Sequence, residues 1–180
     1  MRFKYKPLIL IFALSLLYSC INNADFNQVD IDATPVLNFP LVYFELDQLD
    51  FLDDTSTIEL DSITDVTEFD AFQSSTVRQN LGRVDLLFEI ENMFDRNFQV
   101  EVDFLDDQNN ITYSFQDLTI ANGIDFIEFR ESVIIEGNQQ ILNTTKTRIT
   151  VRLSSSSVIL DPDVEQRFSF KSVGIFYLFF

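Results

Sequence analysis

The stretch VDLLFEIENMFDRNFQVEVDF, Val84 to Phe104, holds two runs in which every second side chain is apolar. Val84, Leu86, Phe88 and Ile90 alternate with Asp85, Leu87, Glu89 and Glu91, and after NMFDRN come Phe98, Val100, Val102 and Phe104 against Gln99, Glu101 and Asp103. Successive side chains of a strand point to opposite faces, so this period of two predicts two half-buried β-strands with one face toward a core. Working downstream, DDQNN (Asp106 to Asn110) reads as a turn, and Ile111, Tyr113 and Phe115 as the next inward face. Leu118 and Ile120 fall on the opposite parity, which predicts a bulge near Gln116-Asp117.

The same reading extends to both ends of the domain. Asn122-Gly123 is the strongest hairpin signal in the chain, because a type I′ turn wants positive φ at both positions. Asp125 to Glu136 gives a strand with a less regular face, and residues 137–140 a loop. In Lys146 to Leu153 the inward set is Thr147, Ile149, Val151 and Leu153, with Lys146, Arg148, Thr150 and Arg152 outward. The last strand is RFSFKSVGIFYLFF, apolar on both faces beyond Val173 and so expected to be central or covered by a partner. Upstream, FPLVYFEL (Phe39 to Leu46) is the first dense apolar stretch, and the acidic segment from Asp47 to Asn80 offers Thr57-Ile58-Glu59-Leu60 as a short strand. Strands at this spacing, without capped helical periods, predict an all-β fold. We expect a mostly antiparallel, immunoglobulin-like β-sandwich of about seven to nine strands over residues 36–180.

The outward positions carry a charge pattern. Glu101 and Asp103 lie on one strand and Lys146, Arg148 and Arg152 on another, so neighbouring strands would set opposite charges across a ladder. A basic stripe that binds an anionic ligand is the alternative use of the same residues.

Composition narrows function. Among 180 residues there are 20 Phe, four Gly, one Cys, no Trp and no His. Without His the commonest general base and the commonest metal ligand are both missing. Ser154 to Ser157 has neither a nucleophile elbow nor a His base. Asp161-Pro-Asp-Val-Glu165 and Asp106-Asp-Gln-Asn109 place oxygen ligands close together, as Ca²⁺ sites require, but neither has the spacing or central Gly of an EF-hand loop. No carboxylate pair stands out for glycoside hydrolysis, and we expect no enzyme, no cofactor and no metal site.

The single cysteine gives the chain an address. Arg2, Lys4 and Lys6 precede an apolar run from Leu8 to Tyr18, and Ser19 supplies a small residue before Cys20, the build of a secretory signal peptide over residues 1–19. Eleven residues rise only about 16 Å as a helix, too little to span a bilayer. Leu17-Tyr18-Ser19-Cys20 resembles the lipobox of bacterial lipoproteins, which implies diacylglycerol on the Cys20 sulfur, cleavage before Cys20 and acylation of the new amino terminus. Two or three acyl chains hold a protein on a membrane where one does not. Residues 20–35, rich in Asn, Asp, Thr and Gln, suit an extended tether. Beyond the signal, nine basic residues face 29 acids, a formal charge of −20 that repels nucleic acid and anionic lipid surfaces.

Two wider resemblances follow. LLFEIENMFDRNFQVEVDFLDD, with Asn92 just after one strand, resembles the immunoglobulin-like domains of late-embryogenesis-abundant type proteins, which implies a sandwich and no activity. The lipobox followed by an acidic, Asn-rich and Phe-rich β domain resembles the outer-membrane lipoproteins of Bacteroidota. That implies an outer-membrane location, with the membrane engaged through lipid on Cys20. Three functions are open at this point. The first is a non-enzymatic accessory module that docks another envelope protein. The second is a receptor for a ligand or glycan, with Tyr43, Tyr113 and Tyr177 as its mature tyrosines and no Trp to stack on a sugar. The third is a small transmembrane β-barrel, suggested by Phe176, Leu178 and Phe180 at alternate positions of the carboxy terminus.

Overall fold

A computed structural model describes residues 34–55 and 57–180. Cys20, the signal peptide expected over residues 1–19 and all but the last two residues of the expected tether lie outside the described residues.

Nine strands are present among the described residues: β1 Val36–Asp47, β2 Ser62–Glu68, β3 Leu81–Asn92, β4 Phe98–Leu105, β5 Ile111–Ser114, β6 Leu118–Ile120, β7 Ile124–Ile134, β8 Lys146–Leu153 and β9 Arg167–Leu178. They form two sheets, β1-β9-β3-β7 and β2-β8-β4-β5, with β6 also paired to β4. Every pairing between strands is antiparallel. The immunoglobulin-like expectation holds for the two packed antiparallel sheets. The strand order is more specific, because successive strands cross between the sheets except for β4, β5 and β6, which stay together, and β9 returns between β1 and β3, the connectivity of a jelly roll. Two open sheets packed face to face, with a filled interior, take the place of the closed barrel considered above.

The core follows the period-two pattern. Val84, Leu86, Phe88 and Ile90 of β3 and Phe98, Val100, Val102 and Phe104 of β4 are all buried, as are Thr147, Ile149, Val151 and Leu153 of β8. In β9 the inward set is Phe168, Phe170, Ser172, Gly174, Phe176 and Leu178, and the strand lies between β1 and β3, with its outward Val173, Ile175 and Tyr177 half-buried. Phe rings fill the interior: Phe170 packs on Phe44 and Phe88, and Phe98 packs on Phe51, Phe94 and Phe168. Each such burial contributes about 1.5–3 kcal/mol before entropy is deducted. Gly174 leaves room for this packing, since a Cβ there would stand 2.8 Å from the Phe176 ring. The edge strand β1 changes register between Pro40 and Tyr43, and the buried Ser172 hydroxyl accepts from the Val42 amide and donates to the Val42 carbonyl. That hydroxyl satisfies both backbone groups released by the irregularity.

Four expectations are corrected by the tertiary structure. Thr57 to Leu60 is not a strand: Glu59 makes one isolated bridge to Leu52, while β2 lies at Ser62–Glu68 and a short helix, α1, at Ser75–Asn80. Asn122-Gly123 does not close a hairpin. β6 pairs with β4 and β7 with β3, so the turn passes from one sheet to the other, and only Gly123 has positive φ, at 63°. Ile111, expected inward, is 54% exposed because β5 is a short edge strand whose register on β4 shifts at Leu105. Asp85 lies on the outward face as expected but is buried there, accepting from the Ser132 and Tyr177 hydroxyls and flanked by Arg83 and Arg130. The expected change of parity after Phe115 is real. β5 ends at Ser114, the Phe115 amide still donates to the Val102 carbonyl of β4, residues 116–117 leave the edge, and β6 resumes on the same strand with Leu118 and Ile120 buried.

Candidate functional site

Register fixes which connections meet. Val36 pairs with Tyr177 and Asp47 with Arg167, so β1 begins at the end of the sandwich where β9 finishes and ends where β9 starts. Following the other ladders, the loops 48–61, 93–97, 121–123 and 154–166 all fall at the end away from Val36. Twelve-residue strands at about 3.3 Å per residue separate the two ends by roughly 40 Å.

Two buried polar groups bind these loops into one surface. Asn92, fully buried at the end of β3, donates from Nδ2 to the Arg96 and Ala121 carbonyls and accepts the Phe94 amide on Oδ1. Arg96 makes a two-pronged pair with Glu59, Nη1 to Oε2 at 2.7 Å and Nη2 to Oε1 at 2.8 Å. Its Nε also donates to the Ser154 carbonyl at 3.0 Å, and Glu59 Oε2 accepts the Leu160 amide at 3.0 Å. Planar guanidinium and carboxylate forks match each other, and here both side chains are mostly shielded, so the pair fixes three loops relative to one another. Gln48 links the first and last loops, donating to the Pro162 carbonyl and accepting the Gln166 amide.

Below this layer Phe51 and Phe94 are completely buried. Above it, Ile58, Leu60, Val158 and Ile159 stand out into solvent at 63%, 41%, 71% and 52% exposure, with Leu49, Met93 and Val164 also exposed on the same loops. Beside them Asp53 accepts the Thr55 hydroxyl and the Thr57 and Ile58 amides, and these bonds, the hydroxyl first, hold its carboxyl down at about 2. Loops on a rigid β scaffold, held by buried polar groups and presenting aliphatic side chains, have the build of a docking surface.

Of the residues singled out from sequence, Ser154 to Ser157 and Asp161 to Glu165 lie on loop 154–166 of this end, and the others fall elsewhere. Arg148 pairs with Asp103 at 2.6 Å and Arg152 with Glu101 at 3.0 Å, while Lys146 donates to the Asp107 carbonyl and Asn109 Oδ1 of the neighbouring turn, so two of the three bases of the stripe are spent on cross-strand ion pairs. Glu101 also holds the Arg152 guanidinium more firmly charged than usual, first by its hydrogen bond and then by its charge. The Asp106 carboxylate accepts the Asn110 side-chain and backbone amides and the Gln108 amide, which lowers its pKa and closes the DDQNN turn on itself. Asp161 accepts the Asp163 amide. Among the described residues no group of three or more Asp, Glu, Cys or His side chains is gathered as a metal would need. Tyr113 donates to Glu131, and burial first, then that bond, push its hydroxyl pKa up. Arg96 and Glu59 were passed over in the sequence because they lie 37 positions apart. The local signal was there, a lone arginine in the turn MFDRN amid acidic loops.

A second concavity lies on the flank. Where residues 116–117 leave β4, a groove of about 620 Å³ opens, lined by Phe115, Gln116, Asp117 and Thr119 on one side and by Phe129, Arg130 and Glu131 of β7 on the other.

No protein-family model matches the chain, and no curated protein does. Similar solved structures include a protein of Parabacteroides distasonis predicted to be secreted, 14% identical with a TM-score of 0.49 over 64% of this chain and 38% of that one. Others are the VP2 subviral particle of infectious bursal disease virus, 9% identical with a TM-score of 0.45 over 82% and 33%, and the enzymatically active domain of tailspike protein 4 of bacteriophage CBA120, 11% identical with a TM-score of 0.39 over 79% and 19%. The chain spans well under half the length of each of these structures. At this identity and similarity they carry no function to the chain.

Proposed function

We propose that this protein is a lipid-anchored, non-enzymatic interaction module of a bacterial outer membrane, held through Cys20 and docking another envelope protein with its four-loop end. The observation that carries the reading is the opposition of the two ends. The chain leads from Cys20 into β1 at one end, and the exposed aliphatic side chains stand on braced loops at the other, roughly 40 Å away. A tether at one end leaves the other free to meet a partner. The Leu17-Tyr18-Ser19-Cys20 stretch supports the anchor, and the absence of His from the sequence supports a binding role over acid–base catalysis. Two experiments test the reading. Cys20→Ser is expected to abolish incorporation of a palmitate analogue in cells, and label kept by the variant would end the anchor. Purification of the full-length protein from its own membranes is expected to bring a stoichiometric protein partner, and recovery of the chain alone would end the docking role.

The flank groove favours a second reading, a receptor for a small polar ligand or glycan. Its volume is in the range of ligand sites, and Arg130, Glu131, Asp117 and Gln116 offer donors and acceptors beside Phe129. Titration with neutral oligosaccharides, compared between the parent and Arg130→Ala, separates this reading from the first.

A further inference from the structure

The four-loop end has a charge as well as an apolar surface. Loops 48–61, 93–97, 121–123 and 154–166 contain nine carboxylates and one base, Arg96, a formal −8. Arg96 is shielded and committed to Glu59, so eight carboxylates remain without a basic residue on these loops. The exposed Ile58, Leu60, Val158 and Ile159 thus share their loops with carboxylates of a single sign, and Glu59, which lies between Ile58 and Leu60, accepts the Leu160 amide next to Ile159. Protein interfaces commonly pair a desolvated apolar centre with a polar rim, and the rim's charge selects the partner and speeds its approach.

Building on the docking role proposed above, we infer that the occupant of this end is a basic protein segment, one that presents Lys or Arg around aliphatic or aromatic side chains. A second copy of the chain would bring −8 against −8. An anionic lipid headgroup or a nucleic acid meets the same repulsion. A neutral apolar segment would fill the centre and leave the carboxylate rim unanswered. The basic segment satisfies both parts, and the Arg96–Glu59 brace holds the loops in place beforehand, which reduces the ordering that binding must impose.

The test uses the full-length protein in its own cells with a photoreactive benzoylphenylalanine in place of Val158 or, for comparison, of Val66. The latter is an exposed residue on the outward face of β2, away from the loops. The expected result is a covalent protein adduct from position 158 and none from 66, with a cross-linked partner peptide of net positive charge. In isolated membranes the adduct should fall about fivefold or more between about 50 mM and 500 mM salt. Adding Ile159→Asp should remove it, although the change makes the rim more acidic and would strengthen a purely electrostatic association. Circular dichroism of this variant, matching the parent, shows that the loss is not unfolding. An adduct to an acidic peptide, an adduct between two copies of the chain, equal adducts from both positions or an adduct that survives Ile159→Asp would each overturn the inference. No adduct at 158 while a partner still co-purifies overturns this inference alone. No adduct and no partner overturns the docking role as well.

Discussion

The two ends of the sandwich close the same core by different means. At the end where β1 begins, hydrocarbon does the closing: Phe69 and Phe72 pack on Phe176, Val77 of α1 and Ile135 and Ile141 of the β7–β8 connection are buried, and Phe39 leans on the Phe176 ring. At the loop end, Phe51 and Phe94 form the last buried layer, an ion pair and a buried asparagine brace the loops, and the aliphatic residues beyond them face outward. The first end buries the rings of Phe69, Phe72 and Phe176 among others, while Val36, Leu37, Ile111, Ile134, Phe179 and Phe180 stay exposed there. The second keeps several exposed and holds their loops in place through polar bonds. Apolar surface withheld from the core but held in a fixed arrangement is what binding requires and folding does not.

The hydrocarbon end should break most severely. Phe176→Ala removes a fully buried ring that contacts three others, and a loss of about 3–5 kcal/mol is expected in urea melts. A loss below about 1 kcal/mol would mean that the two ends do not differ as described. Next comes Arg96→Met, which leaves the shielded Glu59 without its partner and should cost about 2–3 kcal/mol. Amide exchange should quicken in loops 48–61 and 154–166 while the Phe69 and Ile141 amides, bonded to the Thr145 and Asn138 carbonyls, stay protected; uniform acceleration would show the brace to be part of the global core.

Smaller effects sharpen the contrast. Val158→Ser with Ile159→Ser alters exposed side chains only, so stability should stay within about 0.5 kcal/mol of the parent while partner recovery falls. A destabilised double variant would place these residues in the fold's own packing. The mildest change is pH. Asp53 is held at about 2 by the Thr55 hydroxyl and the Ile58 and Thr57 amides. A carboxyl depressed in the folded state stabilises its turn above the ordinary carboxylate range, about pH 4, and that support is lost as pH falls through about 2. Amide chemical shifts of Thr57 and Ile58 should therefore hold steady to about pH 4 and move together below it, and movement with a midpoint near 4 would show that the turn does not hold the carboxylate.

What the sequence by itself determined is what a single strand can encode. Alternation in β3, β4 and β8 named the buried face residue by residue, because side chains of an extended backbone alternate whatever its neighbours are. Alternation likewise put Glu101 and Asp103 of β4 and Arg148 and Arg152 of β8 on outward faces, though only strand pairing brought them together. The tertiary structure alone decided what depends on pairing between distant segments. Asn122-Gly123 has the local chemistry of a hairpin, yet its flanking strands found partners in opposite sheets. Thr57 to Leu60 has strand-like residues, yet Glu59 was taken by an arginine from another loop. The candidate site exists only because the jelly-roll order carries four loops, spread from residue 48 to residue 166, to one end of the molecule. Convergence of that kind is a property of strand order, and period, composition and turn propensity are silent on it.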